Sequence, residues 1–216
     1  MCKPHQIACV LAALLSVAAQ AQVPAVAELP TPKIGEVWKY RTIDLWNQAE
    51  LSQFERELVE IQADRLEFRT RSSKNGEPKT SYFGRGLASC RRMRDSDVEM
   101  CDGALVFPLR VGDKSKYDKR PWLNGNGHNS AECEVKAVEA VTVPAGTFDA
   151  FRVECDGSWQ RVFDRLAVDT NSGRTQETIW YSTKVNGLVK WTYFDYATAG
   201  RAWKKEQTEL TEFVAK

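Results

Sequence analysis

Residues 175–196 read TQETIWYSTKVNGLVKWTYFDY. Two runs rich in β-branched and aromatic residues, Thr175–Ser182 and Leu188–Tyr196, flank Asn186-Gly187. Asn-Gly tolerates the positive φ angles of a type I′ turn, so the stretch reads as a β-hairpin. Around that turn Trp180 is expected to oppose Tyr193, and Ser182 to oppose Trp191. The second run is aromatic on both faces, with Val189, Trp191 and Tyr193 on one and Phe194 and Tyr196 on the other. A strand with one face in water has no need of that. It should be covered on both sides, by a curled sheet or by another element.

The theme repeats along the chain. Gly35–Trp46 (GEVWKYRTIDLW) alternates Trp38, Tyr40, Thr42 and Trp46 against Val37, Lys39, Arg41, Ile43 and Leu45. Residues 51–73 contain Phe54, Leu58 and Ile61 at helical spacing, but no cap or stop signal frames a helix. A hairpin turning at Ala63-Asp64 fits better. Further strands are expected near 79–90, 98–107, 115–122, 131–143 and 147–157. Asn75-Gly76-Glu77-Pro78 marks one turn, and residues 164–173 (DRLAVDTNSG) form a polar connection. Trp203–Phe213 is much more polar and reads as an edge strand. Such punctuation predicts an all-β protein, a single antiparallel meander curled into an open or half barrel. Ile34–Tyr40 (IGEVWKY) echoes Val111–Tyr117 (VGDKSKY), which suggests that both segments enter a strand in the same way.

The N-terminus reads as an address. Lys3 and His5 precede an apolar run from Ile7 to Ala19, and Ala19-Gln20-Ala21 offers a small-residue cleavage site. Residues 1–21 are therefore expected to be a signal peptide, residues 22–33 (QVPAVAELPTPK) a linker, and residues 34–216 the β domain. The expected location is periplasmic or secreted. No internal run approaches the roughly 18 apolar residues of a spanning helix, so no transmembrane span is expected in the mature chain. The formal net charge of +1 gives no electrostatic footprint for nucleic acid.

Four of the six cysteines lie beyond residue 21. In an oxidising compartment an even count reads as disulfides, with three possible connectivities. Local pattern favours one. Cys90 and Cys101 flank a turn centred on Asp95-Ser96-Asp97. Cys133 and Cys155 flank Val143-Pro144-Ala145-Gly146-Thr147. Cys133 shares its phase with Val135, Val141 and Val143, and Cys155 shares its phase with Phe151 and Val153, so both thiols belong on the apolar face. The count is one pair off, which implies a bulge near the turn. No C-x-x-C occurs, and beyond residue 21 the sole histidine is His128, in the turn-like NGNGHNS (124–130). Neither a zinc site nor a histidine-dependent nucleophile is expected, and no cofactor is implied.

The segments PKIGEVWKYRTID, VFPLRVGDK, VEAVTVPAGTFDAFRVEC, IWYSTKVNGLVKW and EQTELTEFV together resemble an uncharacterised domain-of-unknown-function family of exported Gram-negative β proteins. The V-P-A-G-T-F-D-A-F hairpin is the most specific element. Thr183 departs from the W-Y-S-P pattern. The resemblance spans most of Lys33–Val214 and implies one antiparallel β domain and no established activity. The open-barrel lipoprotein carriers of the bacterial envelope are a looser likeness. A lipocalin is disfavoured, because Gly35-Glu36-Val37-Trp38 has one residue more than G-x-W and turns the Trp to the other face.

Three functions compete. The first is a noncatalytic envelope protein whose curled sheet binds a lipid or other apolar small molecule, with Trp38, Tyr40, Phe151, Trp180 and Trp191 as candidate lining residues. The second is an envelope scaffold, in which the polar final strand accepts a strand from a protein partner. The third is a glycoside hydrolase drawing a carboxylate pair from Asp44, Asp149, Asp164, Asp169 and Asp195. Nothing in the spacing singles out such a pair.

Overall fold

Side-chain alternation governs nearly every element of the computed structural model, which describes residues 26–74, 76–92, 97–122, 127–161, 172–197, 200 and 202–216. The signal-like segment, Asp164 and Asp169 lie outside these residues. The strands are β1 (Val26–Ala27), β2 (Val37–Asp44), β3 (Glu50–Ile61), β4 (Arg65–Ser72), β5 (Lys79–Gly84), β6 (Arg91–Arg92) and β7 (Glu99–Met100). They continue as β8 (Leu109–Arg110), β9 (Lys114–Trp122), β10 (Gly127–Val143), β11 (Gly146–Arg161), β12 (Ser172–Ser182), β13 (Gly187–Ala197) and β14 (Ala202–Val214). Ten of them form one antiparallel sheet in the order β5-β4-β3-β2-β14-β13-β12-β11-β10-β9. Its ends, β5 and β9, do not pair, so the barrel stays open as expected. Among the described residues no helix is long and apolar enough to cross a membrane.

The sheet curls because its strands carry extra residues. Seven of the nine neighbouring ladders contain a register shift. Each shift raises local twist and bends the strand. The curl brings the tip of the β10–β11 hairpin onto the middle of the sheet. There Ala145 N–H donates to the Leu210 carbonyl at 3.1 Å. Val141, Val143 and Phe148 pack with Trp38, Leu58, Leu66 and Leu210 in one core. A second core joins Leu109, Tyr117, Val135, Phe151, Val153, Ile179 and Tyr181.

The final strand corrects the sequence reading. β14 is no edge: it lies between β13 and β2. Its polar residues meet complementary ones across the ladder. Lys39 pairs with Glu212 at 2.8 Å, Arg41 Nε donates to Glu209 at 2.7 Å, and the Thr42 and Thr208 hydroxyls lie 3.0 Å apart. At the bulge, the Thr211 hydroxyl donates to the Lys39 carbonyl. Polarity marked partner complementarity here, and the scaffold reading based on a free final strand loses its footing.

Two hairpins also differ in register. Thr183–Val185 form a 3-10 turn capped by the Ser182 hydroxyl, and Asn186 takes the left-handed conformation. The loop therefore centres before Asn-Gly, so Trp180 opposes Lys190, Ser182 opposes Gly187, and Trp191 opposes Ile179. In the β10–β11 hairpin the bulge sits at Lys136, beside the disulfide and far from the Pro144 turn. Cys133 and Cys155 face each other directly and are bonded, as are Cys90 and Cys101. His128 lies in strand β10, opposite Gln160 and Pro121, so it is not a turn residue.

The sequence echo has a structural counterpart. Gly35 and Gly112 hold φ of +88° and +93°. Their N–H groups donate to Leu58 and Val135 carbonyls, and those residues' N–H groups return bonds to the Glu36 and Asp113 carbonyls. The Glu36 and Asp113 carboxylates accept from the N–H three residues earlier, at Lys33 and Arg110. Buried Tyr40 and Tyr117 follow. The two strand entries are the same device.

Residues 85–92 and 97–113, between β5 and β9 in the chain, lie over the mouth of the curl. Only Glu99–Met100 of the expected 98–107 strand is extended and paired, with β6. The rest runs as loop, burying Ala104 and Leu105 against the sheet, because its partners there are side chains rather than a free strand edge. Residues 26–33, read as linker, pack on the domain: β1 pairs with β8, and Ala27 and Pro30 are buried. β13 is also less covered than expected. Phe194 and Tyr196 stay half-buried on the outer face, where Lys205 lies over Phe194.

The Cys133–Cys155 bond closes a 22-residue separation across a long hairpin. A Cys133→Ala/Cys155→Ala double variant is expected to lose about 3 kcal/mol of stability by loop-entropy reasoning. A urea midpoint equal to that of the parent protein would refute this.

Candidate functional site

The curled sheet and the crossing segment enclose a groove of about 520 Å³. That lies within the roughly 300–1,000 Å³ of small-molecule sites. The sheet contributes inward-phase side chains from most of its strands. Tyr40, Phe54, Phe83, Ile179, Leu188 and Trp191 form apolar walls, and Trp122 and Trp159 stand at one end. Leu87, Ala104 and Leu105 of the crossing segment complete the enclosure. The Cys90–Cys101 bond staples that segment to itself, and an Arg65–Glu99 ion pair ties it to β4.

The end wall depends on a glycine. A Cβ at Gly173 would come within 2.6 Å of the Trp159 ring and closer still to the Tyr196 carbonyl oxygen. Only the bare backbone lets that indole lie flat. Trp159 then meets Trp122 edge-on at 5.8 Å and donates its N–H to Asp195 at 2.6 Å.

Charged groups enter this apolar space. Arg56 lies with its guanidinium carbon 4.6 Å from the Phe83 ring centre, 4.9 Å from Phe54 and 6.0 Å from Tyr40. Arg91 and Arg120 stand nearby on the same lining. Burial lowers the pKa of Arg56; partial desolvation lowers that of Arg91, which stays exposed on one side, and each also feels a neighbouring guanidinium. Glu177 is the carboxylate among them. Burial pushes its pKa up, opposed by Arg120, the Trp191 indole, the Tyr117 hydroxyl and Arg91. Asp195 is likewise raised by burial, against the Trp159 N–H. Burial pushes the Tyr40 hydroxyl up to about 12 and raises Tyr117 and Tyr193 as well, so all three stay neutral donors.

Of the aromatic residues singled out in the sequence, Tyr40 and Trp191 face the groove. Trp38 is buried in the core, donating to the Val185 carbonyl at 2.8 Å. Phe151 is buried with Val153 and Tyr181. Trp180 sits one residue out of phase with the inward Ile179 and donates to Glu139. Of the acids, Asp195 lines the groove, Asp149 is exposed, and Asp44 caps the turn after β2 by accepting from Trp46 N–H. The sulfurs of Cys90 and Cys101 lie close to Glu99, but they are joined to each other and Glu99 pairs with Arg65. That cluster is therefore no metal centre.

Arg56 and Glu177 were missed, although a signal existed. Arg56 occupies the inward phase between Phe54 and Leu58, and Glu177 shares its phase with Ile179 and Tyr181. A charge on the apolar phase of a strand is rarely idle, since burial without a partner is costly.

No protein-family model matches the chain, and no curated protein matches it. Two solved structures are similar in fold. One is a presumptive lipoprotein from Parabacteroides distasonis ATCC 8503, at 18% identity and a TM-score of 0.48. The other is a presumptive exported protein with a YmcC-like fold from Bacteroides fragilis NCTC 9343, at 15% identity and a TM-score of 0.48. Each comparison covers 87% of this chain and 99% of the other. A likeness this distant transfers neither ligand nor activity.

Gly173→Ala is expected to cost about 1–3 kcal/mol through overpacking and to shift tryptophan emission as Trp159 is displaced. Parent-like stability and spectrum together would show that the end wall is not built on this contact.

Proposed function

We propose that this is an exported, noncatalytic protein of the cell envelope that binds an apolar small molecule, such as a lipid or acyl chain, inside its curled sheet. One observation carries the reading: a groove of about 520 Å³ whose walls are rings and aliphatic side chains held by one continuous series of backbone ladders. A sheet protein without a ligand has no need to keep such a space unfilled, because well-packed interiors are more stable. Two disulfides fit an oxidising, extracytoplasmic location, and the N-terminal segment has the form of a secretory signal. Binding would displace water from the apolar walls, each buried methylene contributing about 0.8 kcal/mol.

Native mass spectrometry of the protein isolated from the periplasm should reveal a retained small mass. Fatty acid or phospholipid added to delipidated protein should change the emission of Trp191, Trp122 and Trp159. A bare mass together with unchanged fluorescence across both ligand classes would sink the reading.

A further inference from the structure

The polar atoms of the groove are unevenly distributed. At one region of the lining, donors outnumber acceptors. Arg56 Nε and Arg120 Nε are buried there, and neither has a hydrogen-bond partner. Trp191 Nε1 is also buried and points toward Glu177 without forming a bond of normal geometry. Elsewhere in the same groove, polar groups are matched. Trp159 gives its proton to Asp195, and Lys204 pairs with Glu206 at 2.8 Å. The excess is therefore local to the arginines and is not a general property of the site.

Among the described residues, Arg56, Arg91 and Arg120 form no direct ion pair. They come from three separate elements, β3, β6 and β9, and converge on one lining, where Glu177 is the carboxylate beside Arg91 and Arg120. Three positive charges against one negative leave an uncompensated field. The ring cage around Arg56 fixes the guanidinium in place without neutralising it, because a π face supplies no lone pair in the plane of the fork. Guanidinium groups are shaped for two-oxygen anions, which they hold by paired charge-assisted bonds.

Resting on the reading that the groove holds an apolar molecule, we propose that the ligand is an amphiphile with an anionic headgroup, a carboxylate or a phosphate monoester. The headgroup sits among Arg56, Arg91 and Arg120, and the chain lies along Leu105, Ile179 and Trp191. The headgroup oxygens accept from the two orphaned Nε–H groups. A simple packing role for the arginines would require their nitrogens to be satisfied by the protein, and two of them are not. A cationic or neutral headgroup would leave those donors buried and unpaired.

The test uses three probes with one chain length: dodecanoate, dodecyl phosphate and dodecanol, titrated by tryptophan fluorescence and calorimetry. One or both anions should bind roughly 10- to 100-fold more tightly than the alcohol, the range expected for bonds to a charged group. Comparison of the two anions identifies the headgroup chemistry. Anion binding should weaken as salt rises, and alcohol binding should not. In an Arg56→Gln/Arg120→Gln variant, the advantage of the anions over dodecanol should disappear; an advantage as large as in the parent protein would overturn the arginine headgroup site. Equal binding of alcohol and anions to the parent protein would overturn the anionic headgroup while leaving the apolar groove intact. Binding of none of the three would overturn both. Should the variant fail to fold, the parent protein's probe preference and salt dependence still decide.

Discussion

One ladder holds the molecule together: the pairing of β2 with β14. Every other neighbour relation in the large sheet joins strands that follow each other in sequence. Local hairpins assemble β2–β5 on one side and β9–β14 on the other, and among the ladders of the sheet only the β2–β14 seam joins them. Its partners stand about 170 residues apart, as with Lys39 and Glu212. Closing so long a loop carries an entropic cost that grows only slowly with length, and specific contacts must offset it. The seam supplies the Arg41–Glu209 bond beside a buried Glu209 side chain, the Thr42–Thr208 hydroxyl contact and the Trp38–Phe213 ring contact at 5.4 Å. Without it, Tyr40 would not share a wall with Thr208 and Trp191, and the groove would lose the side that β2 and β3 supply.

The other connection between the two halves is the crossing segment, and it works by different physics. It contributes small and aliphatic side chains to the groove and leaves most of its backbone outside any long ladder. Its order comes from the Cys90–Cys101 crosslink, the Arg65–Glu99 pair and the burial of Leu105. The sheet is rigid through backbone bonding, while the cover is held by a few side-chain contacts. Such a division places any motion needed for ligand entry in the cover, where local opening costs least.

The groove's chemistry works against stability. A buried donor left unpaired costs about 1–3 kcal/mol, and ring contacts of the kind around Arg56 return about 0.5–2 kcal/mol. Arginines placed on the inward phase of β3 and β9 therefore leave the fold less stable than hydrophobic residues of like volume would. Residues that weaken a fold in one concentrated place mark the site of its function.

Much of this was legible in the sequence, because strand alternation and turn chemistry are local. The period-two pattern around Trp38 and Tyr40, the hairpin at Ala63-Asp64, the phases of Cys133 and Cys155 and the repeated Gly-acid strand entry all depend on residues a few positions apart. Local chemistry stops at the neighbour. The polarity of Trp203–Phe213 has meaning only beside Lys39, Arg41 and Thr42, far away in the chain, so the last strand looked like an edge and proved central. A 3-10 turn stabilised by the Ser182 cap shifted the Asn186-Gly187 hairpin, since a turn signal fixes where a chain bends less firmly than it fixes that it bends. Which aromatics border the groove depended on curl: Phe151 packs in the core, Trp38 lies beneath the groove beside Tyr40 and Arg56, and Trp191 stands on its wall. The convergence of Arg56, Arg91 and Arg120 belongs wholly to tertiary structure, because three residues on three elements meet only after the sheet has rolled and the crossing segment has closed over it.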